Sequence, residues 1–115
     1  MDDDRDIREV VTLALSDEGY DVLAAPNGAV GLDFAREHSP DLILLDMRMP
    51  IMDGWEFAQA YRQLPSARAP IVVLTAATDA GQRAAEVQAS GYLGKPFDLD
   101  DLLDTVEHFT HPDAA

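Results

Sequence analysis

Short unbroken apolar runs, separated by stretches of helical periodicity, constrain the fold of this chain most strongly. Leu42–Leu45 and Ile71–Leu74 each place four apolar residues in a row, a pattern typical of strands that are buried on both faces. Two weaker runs, Tyr20–Ala25 and Tyr92–Gly94, also predict strands. Because strands that alternate with helices form parallel sheets, the pattern predicts an α/β domain with helices on both faces of the sheet.

Five amphipathic segments lie between or beside these runs. Each carries apolar residues at helical spacing, and caps or prolines mark several of the ends. The predicted helices cover about residues 7–15 (before Gly19), 27–38 (capped by Asn27), 53–64 (capped by Asp53), 79–89 and 99–109. The apolar face of the fourth consists mostly of alanine.

Length and composition limit the functional classes. The 115 residues suffice for one ordinary domain. With 8 basic and 22 acidic residues the net charge is −14, and a field of that sign repels nucleic acid. No membrane span or signal peptide is recognisable, so we expect a cytoplasmic protein without membrane partners. The absence of cysteine excludes disulfides, thiolate metal sites and a cysteine nucleophile.

Three of the predicted strands are followed by polar residues whose side chains can take part in a reaction. Asp46 follows the first buried run, Thr75 follows the second, and Lys95 lies just beyond the last strand. The carboxyl ends of parallel strands lie at one edge of a sheet, so a carboxylate, a hydroxyl and an ammonium should converge there. The acidic run Asp2–Asp4 could lie beside them. Each residue alone has a simpler structural explanation, but the combination in this order is much less common.

Such a cluster suits phosphoryl transfer. Neighbouring carboxylates repel and raise one another's pKa unless a cation joins them. Mg²⁺ takes carboxylate, water and phosphate oxygens as ligands. A carboxylate can attack phosphorus to form an acyl phosphate, and the transferred group needs mainly neutralisation of its oxygens.

At these residues the chain resembles the receiver domain of two-component response regulators. The matching segments are Asp2-Asp3, PDLILLDMRMPIMDGWEF, IVVLTA and GYLGKPF, and the resemblance covers about residues 2–109. It implies a flavodoxin-like, doubly wound parallel sheet in three α/β/α layers. We expect one receiver domain over residues 1–110 and a short tail over residues 111–115.

The resemblance implies a phosphoacceptor and a magnesium site. Asp46 resembles the phosphoacceptor and is itself a metal ligand. Asp3 resembles the direct Mg²⁺ ligand, and Asp2 would act mainly through water. The backbone carbonyl of Arg48 matches the third protein ligand.

It also implies a switch. Thr75 resembles the hydroxyl that binds the phosphoryl group and shifts on activation, and Lys95 resembles the ammonium that contacts it. Lys95-Pro96 matches a cis peptide usual in the family. Tyr92 resembles the aromatic residue that turns inward when Thr75 moves, although a half-buried aromatic on an edge strand is the plainer alternative.

The implied function is a signalling switch that accepts a phosphoryl group in a Mg²⁺-dependent reaction. The donor would be a sensor histidine kinase or a histidine phosphotransfer protein, and an output partner or a homodimer would use the face formed by residues 79–109. The domain would not be an enzyme, but would take part in its own phosphoryl transfer and dephosphorylation.

Three other functional classes match parts of the sequence. The main alternative is a receiver-like interaction domain that works without phosphorylation. A hydrolase of the haloacid-dehalogenase type is disfavoured because Arg48 stands where its second Asp belongs. A calcium loop that begins at Asp2 is disfavoured because Ile7 and Leu13 replace the required Gly and Glu.

The chain departs from the family at its amino end. The family begins with an apolar strand directly before the acidic pair, whereas only Met1 precedes Asp2 here. Two explanations remain open: the sequence is incomplete or starts at a misassigned position, or the protein closes the gap by a strand shift or by dimerisation. In either case we expect Tyr20–Ala25 to lack its main partner. We also expect Asp2 and Asp3 to be poorly held, with weak Mg²⁺ affinity and slow phosphorylation.

Overall fold

A computed structural model describes residues 1–2, 4–65, 67–76 and 78–110. Helices and strands alternate over most of this part of the chain. In order, the elements are α1 (Arg5–Asp17), α2 (Gly28–Glu37), β1 (Ile43–Asp46), α3 (Gly54–Arg62), β2 (Ile71–Ala76), α4 (Ala80–Glu86), β3 (Gly91–Lys95) and α5 (Leu99–Thr110).

The three strands form one parallel sheet in the order β1-β2-β3. In this register Asp46 lies opposite Leu74, and Ala76 lies opposite Lys95. The central strand β2 is buried from Ile71 to Thr75, as its unbroken apolar run predicts. The parallel α/β architecture is confirmed, and the fold is flavodoxin-like.

Two apolar clusters, one on each face of the sheet, form the core. The larger cluster packs α2, α3 and α4 against the sheet around Leu45, Phe57 and Val73. The smaller cluster packs α1 and α5 on the opposite face around Leu15 and Leu102. Burial on both faces explains why the strands contain continuous apolar runs and do not alternate.

The prediction of a strand over Tyr20–Ala25 is wrong, because the structure forms no strand there. Residues 21–25 make one backbone hydrogen bond within the described chain, from the N–H of Asp2 to the carbonyl of Ala25 at 3.1 Å. A strand requires a ladder of such bonds. The segment has the apolar residues of a strand but lacks a neighbouring strand with which to pair.

The fourth helix is shorter than predicted and ends at Glu86. Gln88 adopts a left-handed conformation with φ 53°, which a helix cannot continue through. Arg62 of α3 donates to the carbonyls of Val87 and Gln88. These bonds give the carbonyls at the helix end a partner outside the helix.

Candidate functional site

Asp46 is the last residue of β1 and lies at the carboxyl edge of the sheet. Its side chain is largely buried, because the residue is only 6% exposed. One carboxylate oxygen, Oδ1, accepts the N–H of Arg48 at 3.3 Å, and the other, Oδ2, lies 3.3 Å from Nζ of Lys95. A buried carboxylate that is held at both oxygens has a fixed orientation toward the sheet edge.

The loop after Asp46 is anchored by the start of α3. The N–H of Gly54 donates to the carbonyl of Met47 at 3.0 Å, and a Cβ at residue 54 would lie 2.7 Å from the Cα of Met47. A glycine is therefore required at this close approach. A capping box between Asp53 and Glu56 begins the helix directly afterwards, which fixes the end of the loop that follows Asp46.

Lys95 joins two carboxylates at the end of β3. Its Nζ lies 2.6 Å from Oδ2 of Asp2 and 3.3 Å from Oδ2 of Asp46. Asp2 is 3% exposed, and its Oδ1 accepts the N–H of Asp4 at 3.0 Å. The sequence-predicted residues Asp2, Asp46 and Lys95 therefore form one buried ionic cluster. The expectation that Asp2 is poorly held is wrong, because its side chain is buried and bonded at both carboxylate oxygens.

The electrostatics of the cluster follow from burial and from the like charges. Burial, together with the charge of Asp2, raises the pKa of Asp46, and Lys95 only partly offsets this rise. Burial alone would lower the pKa of Lys95, but the hydrogen bond and charge of Asp2 and the charge of Asp46 raise it above its usual value. Lys95 is therefore held as a cation between two carboxylates that repel each other.

Thr75 and Tyr92 lie on neighbouring strands beside the cluster. Thr75 is buried, follows Leu74 on β2 and lies opposite Gly94. Tyr92 is 58% exposed, and its ring faces α4, where a Cβ at Gly81 would lie 3.6 Å from the ring. The ring therefore points outward in this conformation. The peptide bond Lys95-Pro96 is cis.

The predicted metal ligands can be compared with this geometry only in part. Asp3 lies outside the described residues, and within the described residues no three His, Cys, Asp or Glu side chains form a group that could hold a metal. Asp2 and Asp46 bring two buried carboxylates to the same ammonium. Mg²⁺ is commonly held by one or two carboxylates together with water, so the donor chemistry of these two residues fits this ion.

Two contributors to the site were not predicted from the sequence. The terminal ammonium of Met1 is buried beside Asp2 and Asp46, and burial lowers its pKa to about 6. Arg8 of α1 donates to the carbonyl of Asp2 at 2.8 Å. The apolar face of α1 gave no indication of the Arg8 contact, and no sequence pattern distinguishes a buried terminus from an exposed one.

A parallel α/β domain with a buried aspartate, a lysine and a threonine at the carboxyl edge of its sheet has the architecture of a phosphoryl-accepting signalling domain. The family model of the response regulator receiver domain matches residues 1–107. The chain therefore belongs to the response regulator receiver family of two-component systems. In the described residues, no helix has both the length and the apolar character needed to cross a membrane.

Individual relatives agree with this assignment. The chain is 40% identical over 105 residues to the response regulator MprA of Mycobacterium sp. (strain KMS), with 90% of this chain and 45% of that protein covered. The chain thus spans less than half the length of the curated relatives it matches.

Solved structures show the same fold. A putative response regulator from Chloroflexus aurantiacus superposes with a TM-score of 0.87 at 33% identity, covering 96% of this chain and 93% of that one. The chemotaxis response regulator CheY4 of Vibrio cholerae gives a TM-score of 0.86 at 37% identity, covering 94% and 92%.

Proposed function

We propose that this domain is a phosphorylation-dependent switch that accepts a phosphoryl group on Asp46. The observation that carries the proposal is the position of Lys95, whose ammonium lies 3.3 Å from the Asp46 carboxylate at the carboxyl edge of the sheet. We take residues 1–110 as the receiver domain and residues 111–115, which lie outside the described chain, as its tail.

The reaction is a displacement at phosphorus. A carboxylate oxygen of Asp46 forms the new P–O bond while the bond from phosphorus to the donor's imidazole nitrogen breaks, and the imidazole leaves with that electron pair and takes up a proton. Lys95 offsets charge on the transferred oxygens, and the hydroxyl of Thr75 donates to one of them. The buried setting strengthens these interactions because it excludes water.

Mg²⁺ is the proposed cofactor of this reaction. Asp2 and Asp46 would hold the ion, together with Asp3 and the backbone carbonyl of Arg48. When bound, the ion neutralises negative charge shared between the carboxylates and the phosphoryl group. Asp2 is already held near Asp46 by its contacts with Lys95, Asp4 and Arg8.

The proposed donor is a phosphohistidine on a sensor kinase or on a phosphotransfer protein, with the reaction in the cytoplasm. Thr75 would move toward the phosphoryl group, and Tyr92 would then leave its exposed position against α4. That movement would change the face formed by residues 79–109, where an output partner or a second copy would bind. The domain's own residues would also support loss of the phosphoryl group.

Acetyl phosphate with Mg²⁺, followed by intact mass measurement, tests the proposal. We expect the mass of one phosphoryl group to be gained and expect Asp46→Asn to abolish the gain. Asp41→Asn is the matched control, because Asp41 is exposed just before β1, and it should be phosphorylated like the unmodified chain. An equal gain in Asp46→Asn would contradict the assignment of the acceptor.

One observation favours the alternative of an interaction domain that works without phosphorylation. The ammonium of Lys95 lies closer to Asp2, at 2.6 Å, than to Asp46. Its charge is therefore already paired with Asp2 and is less available to a phosphoryl group on Asp46. If Mg²⁺ and a phosphoryl donor leave Asp46 unmodified while a partner still binds the domain, this alternative is the better description.

A further inference from the structure

Helix α4 buries little apolar surface against the rest of the domain. It has seven residues, and those that it buries are Ala80 and Ala84, with Val87 buried directly after its end. Its N-cap residue Asp79 makes no side-chain capping bond within the described chain. A helix this short is unstable by itself, and small side chains gain little from burial. Other contacts are therefore needed to hold α4 in place.

Those contacts come from α3 and are polar. Nε1 of Trp55 donates to Oε2 of Glu86 at 3.3 Å. The guanidinium of Arg83 donates to both carboxylate oxygens of Glu86, and its central carbon lies 5.5 Å from the centroid of the Trp55 ring. Arg62 donates to two backbone carbonyls at the carboxyl end of α4. We call the group of Trp55, Arg83 and Glu86 the α3–α4 latch.

The contacts of the latch are individually weak. The side chains of Arg83 and Glu86 are 21% and 32% exposed, so water screens their charges. Nε of Arg83 is buried and has no hydrogen-bond partner among the described residues, which reduces the net gain from placing the guanidinium there. A helix that is held by weak, partly exposed contacts opens locally far more often than the core does. The strength of the latch therefore sets how often α4 detaches.

The latch also connects the elements on either side of the acceptor. Trp55 is the second residue of α3, which begins directly after the loop that follows Asp46. Helix α4 follows the end of β2, where Thr75 lies, and the ring of Tyr92 packs against it. Holding α4 on α3 therefore holds the face formed by residues 79–109 in its present arrangement, in which Tyr92 is exposed.

We propose that the α3–α4 latch is a restraint on the switch, which holds α4 in the position of the unphosphorylated domain and which a phosphoryl group on Asp46 has to open. The role in switching rests on the function proposed above, whereas the restraint on α4 does not. By thermodynamic linkage, a substitution that opens the latch shifts the population toward the arrangement that the phosphoryl group favours. Such a substitution therefore strengthens the binding of a phosphoryl group at Asp46.

Two substitutions open the latch in different ways. Arg83→Lys keeps the charge but removes the planar group that stacks on the indole and reaches both oxygens of Glu86. Glu86→Ala removes the acceptor that Trp55 and Arg83 share, and it does not weaken α4 through helix propensity, because alanine is the strongest helix former. The matched controls are Arg36→Lys and Asp33→Ala, which alter an exposed ion pair with the same spacing on α2.

Amide hydrogen exchange measures the opening of α4 without any phosphorylation. We expect exchange at the amides of Ala84 and Ala85 to be faster by about two- to tenfold in both latch variants, with the amide of Leu102 in α5 as the internal reference. The emission of Trp55, the only tryptophan in the chain, should move to longer wavelength as the indole gains contact with water. Unchanged exchange in α4, equal acceleration at Leu102, or the same acceleration in the controls would overturn the restraint.

Fluoroberyllate, a tetrahedral mimic of the phosphoryl group that binds reversibly, measures the role in switching. Isothermal titration calorimetry in the presence of Mg²⁺ gives its affinity for each chain. We expect both latch variants to bind it more tightly than the unmodified chain, by no more than the factor by which α4 exchange accelerates, and the controls to bind it equally. Faster α4 exchange with unchanged or weaker binding would overturn the role of the latch in switching. An absence of binding in every chain would contradict the function proposed above, and the role in switching with it, while the exchange result still decides the restraint.

Discussion

Replacing Lys95 with methionine tests whether this residue holds the site together electrostatically. Lys95→Met keeps the apolar stem and removes the ammonium that lies between Asp2 and Asp46. Two buried carboxylates would then repel each other with no cation between them. We expect the free energy of unfolding to fall, because a buried charge that loses its partner is strongly destabilising.

The magnitude follows from the burial of the three side chains. The side chains of Asp2 and Asp46 are 4% and 9% exposed, while that of Lys95 is 22% exposed. Breaking a buried ion pair by removing one partner costs about 3–5 kcal/mol, and the partial exposure of Lys95 reduces this to about 2–3 kcal/mol. As a control, Arg5→Met removes an exposed ion pair with Glu9 and should change stability by less than about 0.5 kcal/mol.

Urea unfolding of Lys95→Met, Asp46→Asn and the double variant measures the energetic coupling between Lys95 and Asp46. Asp46→Asn should stabilise the chain at neutral pH, because burial and Asp2 raise the pKa of Asp46 and so disfavour its charged form. In the Lys95→Met background the same substitution should stabilise more, by about 1–2 kcal/mol beyond its effect alone. Additive effects of the two substitutions would refute the account of Lys95 as the shared counter-ion.

Three further predictions concern the surroundings of the site. Phe57→Ala should cost about 3–5 kcal/mol, measured by urea unfolding, because Phe57 is fully buried against the sheet. Gly54→Ala should destabilise the fold by about 1–3 kcal/mol and slow phosphorylation by acetyl phosphate, because its Cβ would lie 2.7 Å from the Cα of Met47. A variant with unchanged stability and phosphorylation rate would contradict the requirement for glycine at this position. Burial lowers the pKa of the Met1 ammonium from 8.0 to about 6, so the free energy of unfolding should rise by up to about 3 kcal/mol between pH 6 and pH 8. Urea unfolding across this range measures the rise. Acetylation of the terminus should remove this contribution to the pH dependence.

The buried strands and the polar residues at their ends could be predicted from the sequence. Leu42–Leu45 and Ile71–Leu74 are apolar because both faces of the sheet are covered, so their pattern reflects their surroundings directly. The carboxyl ends of parallel strands lie at one edge of the sheet, which places Asp46 and Lys95 together independently of the loop conformations.

The failures of prediction involve features that depend on distant partners. Tyr20–Ala25 has the composition of a strand, but strand formation needs a neighbouring strand that the local sequence does not provide. The run Asp2–Asp4 did not reveal that Asp4 caps α1 by accepting the N–H groups of Asp6 and Ile7. Nor could a local pattern show which carboxylate would take the shorter contact with Lys95, because three-dimensional packing decides it.

The position of the phosphoryl group on the chain tests the central claim most directly. After reaction with acetyl phosphate and Mg²⁺, borohydride reduces an aspartyl phosphate to homoserine, which peptide mass spectrometry locates. We expect homoserine at position 46 in the unmodified chain and at no position in Asp46→Asn. Homoserine at Asp2, or no homoserine after prolonged reaction, would contradict the assignment of Asp46 as the acceptor.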